Sequence, residues 1–428
     1  MSERKTYKKR LVIVGNGMAA GRIIDELIAR DTVKPKSGHS LFDITIIGDE
    51  TCGSYNRIML SSVLAGTTSA MSIIQKPASW YAQQGMRFMA GIRVTQINRQ
   101  QCHVLCANDE RIPYDHLIIA TGSRPAHLPA LNQNIAGVMA FRTLADVDTI
   151  LSLSQTAKHA VVIGGGLLGL EAAYGMAVRG LQVVLVHRSA WLLNRQLDEA
   201  AAAMLARVMT HKGVVLKLAA QVARFNGQIS VESAQLTSGE ILPCDVAVIA
   251  TGITPNAELG IEAGLQGQYG IAVNDFLVTS DPHISAIGEC AEHKGKTFGL
   301  VEPIWQHCIS VADRLVRGMQ TAYQNTPVAT KLKVSGVQVF SAGEWLTSPE
   351  HRAFIFVDSA RNIYRKLLLK NNCIVGIVFF GDVRDGQYFF ELMERQISVI
   401  QAMPQLLMGR RFCTQLPSMM ALPMNKTI

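Results

Sequence analysis

The chain has 428 residues, 48% of them hydrophobic and 17% charged, which supplies several apolar cores and excludes an intrinsically disordered polypeptide. Its net charge of +8, from 41 basic and 33 acidic residues, reads as a spread of solvated cations or as a surface that steers an acidic electron-carrier protein; no nucleic-acid partner is expected. No stretch reaches the roughly 20 apolar residues that span a bilayer, and the eight cysteines (52, 102, 106, 244, 290, 308, 373 and 413) include no Cys-x-x-Cys pair, which removes the dithiol of a disulfide reductase and the clustered ligands of an iron–sulfur centre.

The basic start, Met1 to Arg10, runs into Leu11-Val12-Ile13-Val14. Gly15 and Gly17 interrupt that run, so it reads as a first strand rather than a secretory signal, and a cytoplasmic protein is expected. The strand opens onto Gly15-Asn16-Gly17-Met18-Ala19-Ala20, a G-x-G-x-x-A turn. Such a turn brings backbone close to a pyrophosphate and offers it a helix N-terminus. An amphipathic stretch (22–30) and a polar insertion (31–40) precede a second strand, Phe42 to Ile47, which ends at Gly48-Asp49-Glu50. A carboxylate there bonds the ribose of a dinucleotide, usually about 20 residues after the turn. The insertion stretches the distance from Gly15 to Asp49; Asp49 is assigned the role, with Glu50 as the neighbour it can be confused with.

Residues 94–97 and 102–105 alternate as a small meander, and 114–119 form another buried strand that runs into Ala120-Thr121-Gly122-Ser123-Arg124-Pro125. A second copy of the opening pattern follows, Val161-Val162-Ile163-Gly164-Gly165-Gly166-Leu167-Leu168-Gly169-Leu170-Glu171. One such turn is a weak signal; two in one chain point to two dinucleotides. The strand after this second turn, 183–186, ends in His187-Arg188 instead of a carboxylate. A carboxylate would repel a 2′-phosphate and Arg188 would accept it, so the residues alone lean toward NADPH. A second Ala-Thr-Gly stands at Ala250 to Gly252, and Thr279 to Ala291 contains Gly288-Glu289. From Lys331 the pattern changes to short strands at 337–341, 353–357, 364–369 and 374–380, the last two joined by an Asn371-Asn372 hairpin, and then a helix at 386–396.

The two turns, the two Ala-Thr-Gly segments and the Thr279–Ala291 segment together resemble the pyridine nucleotide-disulfide oxidoreductase-like flavoproteins over residues 10 to about 320. Within them, residues 54–66 (Ser54-Tyr55-Asn56-Arg57 onward), 288–293 and 334–343 are similar to the flavin portion of assimilatory nitrite reductases and to the electron-transfer subunits of assimilatory nitrate reductases, with rubredoxin and ferredoxin reductases next. The resemblance implies an α/β fold of two Rossmann-like dinucleotide-binding domains, for FAD and NAD, plus a small α+β C-terminal interface domain. The expected boundaries are 1–125 and 245–330 for FAD, 126–244 for NAD(P)H and 331–428 for the interface domain.

By the same resemblance, Gly15, Gly17 and Ala20 cradle the FAD pyrophosphate, and Arg57 and Ser61 lie along the flavin and phosphates. Thr121, Gly122 and Arg124 close on the adenosine side. Gly288-Glu289 reach the ribityl chain, with a helix beginning after Glu289 and aimed at the flavin; Glu289 as a plain helix cap is the alternative. Val94 and Gly252 complete the cofactor-binding set. Gly164, Gly166 and Gly169 hold the second nucleotide, and Glu171 faces the nicotinamide side of the flavin, though a carboxylate there also suits the helix dipole. The relatives often carry a histidine at position 187 and are mostly NADH enzymes, so NADH is expected, with NADPH as the alternative.

A hydride passed from nicotinamide to flavin and returned singly makes a two-to-one electron converter. The expected function is therefore an FAD-dependent NADH oxidoreductase serving a separate protein, an assimilatory nitrate reductase catalytic subunit. Rubredoxin or ferredoxin reduction, an NAD(P)H-responsive redox sensor and a thiol reductase are the rivals, the last disfavoured because Cys52 has no partner at suitable spacing. The iron–sulfur and sirohaem segments of a nitrite reductase do not follow, so a complete nitrite reductase is not expected. A homo-oligomer is an open possibility; no membrane partner or metal is expected.

Overall fold

A computed structural model describes residues 8–31, 41–126, 134–319, 321–334 and 336–416. The chain divides into two compact units, the first made of Met1–His127, Arg142–Asp148 and Gly252–Thr326, the second of Leu128–Phe141, Thr149–Thr251 and Pro327–Ile428.

The first unit holds a five-stranded parallel sheet in the order Ile284–Ala286, His116–Ile119, Lys9–Val14, Phe42–Gly48, Arg87–Ala90. Leu11 to Val14 and His116 to Ile119 are buried without alternation, the mark of parallel strands covered on both faces. Each fully buried Ile or Leu side chain contributes about 1.5–3 kcal/mol relative to exposure. Helix Met18–Asp31 sends Ile23, Ile24 and Leu27 into the same core. The meander spans Val94–Asn98, His103–Cys106 and Arg111–Pro113, all antiparallel. The strand order reverses between Lys9–Val14 and its two neighbours, where doubly wound sheets bind their ligands.

The second unit repeats the plan. Its parallel sheet runs Val138–Ala140, Val246–Ile249, His159–Ile163, Gln182–His187, Val214–Leu218, with a meander of Val222–Asn226, Ser233–Leu236 and Ile241–Pro243. This unit also contains an antiparallel sheet ordered Thr330–Val334, Val337–Gly343, Cys373–Phe380, Ile363–Lys370, Arg352–Asp358. Helix Gly386–Glu394 packs Phe389 and Leu392 into that sheet's core. The expected hairpin closes with Asn371 and Asn372 both at positive φ, 52° and 61°, which is the two-residue turn that asparagine tolerates.

Three expectations change. Residues 142–148, expected within the 126–244 domain, belong to the first unit, where Arg142 is brought beside Glu289. Strand Val246–Ile249 pairs in parallel with His159–Ile163, so residues 245–251 belong to the second unit and the crossing lies at Thr251/Gly252 rather than 244/245. No helix begins after Glu289: Gly288–Cys290 is one 3-10 turn, and Ala291–His293 then pairs with Ile271–Val273 as a buried strand. The backbone there has a strand partner, which satisfies its hydrogen bonds before a helix can start. The next helix is Val301–Ala312. Among the described residues no helix is long and apolar enough to cross a membrane.

Candidate functional site: two glycine turns

In the first unit, strand Lys9–Val14 ends on Gly15, whose φ is +105°. A Cβ there would lie 2.2 Å from the carbonyl oxygen of Ala120, so this glycine is required by the chain crossing in front of it. Ala120 in turn donates its N–H to the Val14 carbonyl at 2.7 Å. Gly17 is different: the nearest atoms to its absent Cβ are Arg57 Nε and Nη2, at 3.9 and 4.0 Å. Packing alone does not demand glycine at that position, and the space is left beside a guanidinium. Ala20 is fully buried. Helix Met18–Asp31 carries no acidic residue in its first turn, which leaves its positive end for an anion.

The charged groups around this turn form one network within the first unit. Glu50 accepts from the Tyr55 hydroxyl at 2.7 Å and pairs with Arg57. Arg57 lies over the Tyr55 ring at 4.9 Å and donates to the Arg142 carbonyl at 3.0 Å. Arg142 donates through Nε to the Ser123 carbonyl at 2.8 Å and pairs with Glu289, which also accepts from Ser123 Oγ at 2.8 Å. Burial lowers the Arg57 pKa, but Tyr55 and Glu50 outweigh it and the group stays raised. Burial likewise pushes the Tyr55 phenol up. Asp49, by contrast, is exposed and among the described residues pairs with Arg93, at 3.3 Å. The two adjacent carboxylates are thus separated: Glu50 is tied into the network and Asp49 stands at the end of strand Phe42–Gly48.

The remaining expected residues fall into two groups. Thr121 Oγ1 donates to the Asn256 carbonyl at 2.7 Å, Gly122 has φ +67°, and Gly288, at φ +80°, precedes the Glu289 that joins the network. These gather at the turn, as does the short antiparallel pair Ser123–Pro125 with Ile253–Pro255 that begins one residue after Gly122 and Gly252. Arg124 is turned to Asn256 and Glu258, at 3.1 and 2.6 Å. Ser61 Oγ donates within its own turn, to the Ile58 carbonyl at 3.5 Å. The Val94 side chain is buried in the core, which leaves only its backbone for a ligand.

Four participants were not expected from sequence: Tyr55, Ser123, Arg142 and His307. Buried His307 accepts from the Gly288 N–H at 3.3 Å, and burial holds its pKa down to about 3. Tyr55 and Ser123 stand inside quoted motifs, whereas Arg142 and His307 carry no local signal.

The second unit repeats the crossing. Gly164, at φ +119°, would place a Cβ 2.3 Å from the Ala250 carbonyl oxygen, and Gly169 would place one 1.9 Å from the carbonyl of Gly164 itself. Gly166 caps helix Leu167–Val178 without a side-chain bond and has ordinary φ, and a Cβ there would meet nothing within 4 Å. Glu171 lies in the second turn of that helix, half-buried. His187 turns inward: its Nδ1 accepts from the Gly165 N–H at 3.0 Å. Burial, then Arg188, lowers its pKa; Nδ1, as an acceptor, carries no proton, and Nε2 is buried with no partner among the described residues. Arg188 is exposed.

Both turns fit a dinucleotide by the same test: one glycine forbidden a Cβ by backbone, and another whose Cβ would fill unclaimed space. Asn16 Nδ2, inside the first turn, is also buried without a partner among the described residues. None of the eight cysteines forms a disulfide. Burial, then Glu50, pushes the Cys52 thiol up, away from the thiolate that redox chemistry needs.

Residues 9–332 match the family model described as pyridine nucleotide-disulphide oxidoreductase. The chain belongs to that family. Membership makes it an oxidoreductase with sites for FAD and NAD(P)H. Residues 327–397 match the rubredoxin NAD+ reductase C-terminal domain. The chain is 39% identical to a nitrite reductase [NAD(P)H] of Bacillus subtilis (strain 168), over 93% of this chain and 50% of that protein. It is 35% identical to the assimilatory nitrate reductase electron transfer subunit of the same organism, over 98% of this chain and 53% of that protein. The chain therefore spans about half the length of these curated relatives. Among solved structures, a ferredoxin reductase of Rhodopseudomonas palustris is similar with a TM-score of 0.79 at 26% identity, covering 89% of this chain and 93% of that one.

Proposed function

We propose that the chain takes electrons from NADH through FAD and delivers them to a separate protein, an assimilatory nitrate reductase catalytic subunit, in the cytoplasm. The observation that carries this is the duplicated glycine crossing, Gly15 under Ala120 and Gly164 under Ala250, with Gly17 and Gly166 left open. Bound FAD supplies the conversion of a two-electron donor into single-electron transfers. The residues do the rest by position. Gly15 and Gly17 let the backbone approach the FAD pyrophosphate, Asp49 receives its ribose, and Arg57 supplies positive charge beside it. Glu289, held by Arg142 and Ser123, presents an acceptor at the Gly288 turn. In the second unit Gly166 and the uncapped helix receive the nicotinamide nucleotide, with Glu171 on the nicotinamide side.

The acceptor is argued from the electron transfer subunit above, which this chain matches along almost its whole length. A second reading, transfer to a rubredoxin or ferredoxin, is favoured by the C-terminal domain match and by the ferredoxin reductase fold. Anaerobic rapid mixing with NADH bleaches the flavin if the reading is right, and reoxidation by each candidate carrier ranks the acceptors. Slow bleaching with a changed oligomeric state would favour a sensor instead. A large preference for NADPH in kcat/KM would defeat the choice of NADH and put Arg188 on the 2′-phosphate.

A further inference from the structure

Residues 188–198 connect strand Gln182–His187 to helix Glu199–His211, all within the second unit. On one side this segment touches the glycine turn. Leu193 donates its N–H to the Gly165 carbonyl at 2.9 Å, and a Cβ at Gly165 would meet Leu192 Cδ2 at 2.8 Å. On the other side it is gripped by the C-terminal antiparallel sheet and by Trp345, just past the end of strand Val337–Gly343. Trp345 Nε1 donates to the Asn194 carbonyl at 3.1 Å, and Ser341 Oγ to the Gln196 carbonyl at 2.6 Å. The Tyr364 hydroxyl and Lys366 Nζ both donate to Asp198 Oδ2, each at 2.7 Å, while Asp198 Oδ1 accepts from the Ala201 N–H at 3.1 Å and so caps the helix. Lys366 is 2% exposed, and its Nζ also donates to the Trp345 carbonyl at 3.0 Å.

Between the two sides sits Leu193, a buried leucine at φ +50°. That conformation is sparsely populated for a residue with a side chain and persists where the surroundings over-determine it. Here the surroundings are Gly165 ahead and the anchored residues 194, 196 and 198 behind. Two of the anchors grip main-chain carbonyls, which fixes backbone position rather than burying area. A buried pair such as Lys366–Asp198 is weak evidence for net stability; its geometry holds Asp198, the cap of helix Glu199–His211.

We propose that Ser341, Trp345, Tyr364 and Lys366 form a latch that sets the shape of the Gly164–Gly166 turn through residues 188–198. They are positioning residues for the nicotinamide nucleotide, placed in the C-terminal domain. The proposal rests on that turn binding the nucleotide, which is separately testable with the unmodified chain.

The test uses the full flavin-loaded chain and its variants Tyr364→Phe, Ser341→Ala and Lys366→Met, with ADP-ribose as the probe. Calorimetric Kd, amide hydrogen exchange at Gly165 and Leu193, and flavin absorbance are measured together. The latch predicts a Kd raised about 2- to 30-fold, lost protection at Leu193, and an unchanged flavin spectrum. Lys366→Met leaves a buried carboxylate one donor short and risks misfolding, so Tyr364→Phe and Ser341→Ala, which each remove a single hydroxyl, keep the question open. A lower Tm with Kd within twofold of the unmodified chain would make the contacts mere glue and overturn the proposal. If the unmodified chain does not bind ADP-ribose, the nucleotide reading fails and takes the latch with it.

Discussion

The two glycine turns share a backbone and differ in everything that surrounds it. Gly15 meets Ala120 and Gly164 meets Ala250 at nearly the same distance, 2.2 and 2.3 Å, so one steric solution is used twice. The first turn is then enclosed by ion pairs and charged hydrogen bonds from Glu50, Tyr55, Arg57, Arg142 and Glu289. At the second turn, the end of the strand offers one buried neutral His187 and one exposed Arg188. A site sewn from distant segments suits a ligand that stays, because the protein is ordered around it. A turn braced mainly through its backbone, with few charged groups at the strand end, suits one that exchanges.

The strongest way to break this symmetry is to fill each crossing in turn. Gly15→Val adds overpacking and a left-handed β-branched residue, together roughly 2–5 kcal/mol, and is expected to yield colourless protein. Gly164→Val is expected to stay yellow and lose reduction by NADH. Flavin absorbance of the purified variants reads both, and a yellow Gly15→Val would contradict the assignment.

Next comes the network. Glu289→Ala strips Arg142 and Ser123 of their shared acceptor, a loss of about 1.5–3 kcal/mol for a charged hydrogen bond. FAD is then expected to dissociate more readily in equilibrium dialysis, while ADP-ribose affinity holds. Equal FAD retention would show that the network serves the fold and not the cofactor.

Glu171→Ala should leave FAD bound and slow flavin reduction on the order of tenfold to 100-fold. Stopped-flow traces identical to the unmodified chain would remove Glu171 from the site.

The last expected effect concerns pH and acts on the fold rather than on either nucleotide. Burial holds both His116 and His307 down to about 3, whereas an unfolded histidine titrates near ~6.5. Between those values the unfolded chain binds protons that the folded chain refuses, so stability falls as pH drops through about 6.5 toward 3 and is unaffected above. Urea midpoints at pH 7.5 and 5.0 measure this. A His307→Asn variant should show a shallower fall, and an equal fall would discount that residue.

The paired Asn371-Asn372 hairpin and both glycine turns were legible because each depends on residues adjacent in sequence. The boundary at 244/245 was misplaced for the opposite reason: Val246–Ile249 looks like any buried strand, and only its partner, His159–Ile163, assigns it to a sheet. The helix expected after Glu289 failed similarly, since the pairing of Ala291–His293 with Ile271–Val273 has no local signature.

Local sterics therefore let the sequence alone determine the two glycine turns, the strands that open onto them and the two-residue hairpin of the last sheet, because a glycine's missing Cβ and an asparagine's tolerance of positive φ act over a few residues. Only the tertiary structure decided which carboxylate, Asp49 or Glu50, stays exposed, that Arg142 and His307 reach the first turn, and that Lys366 reaches Asp198. Those outcomes depend on tertiary packing, where charge and burial select partners that no local pattern names, for Lys366 and Asp198 across more than a hundred residues.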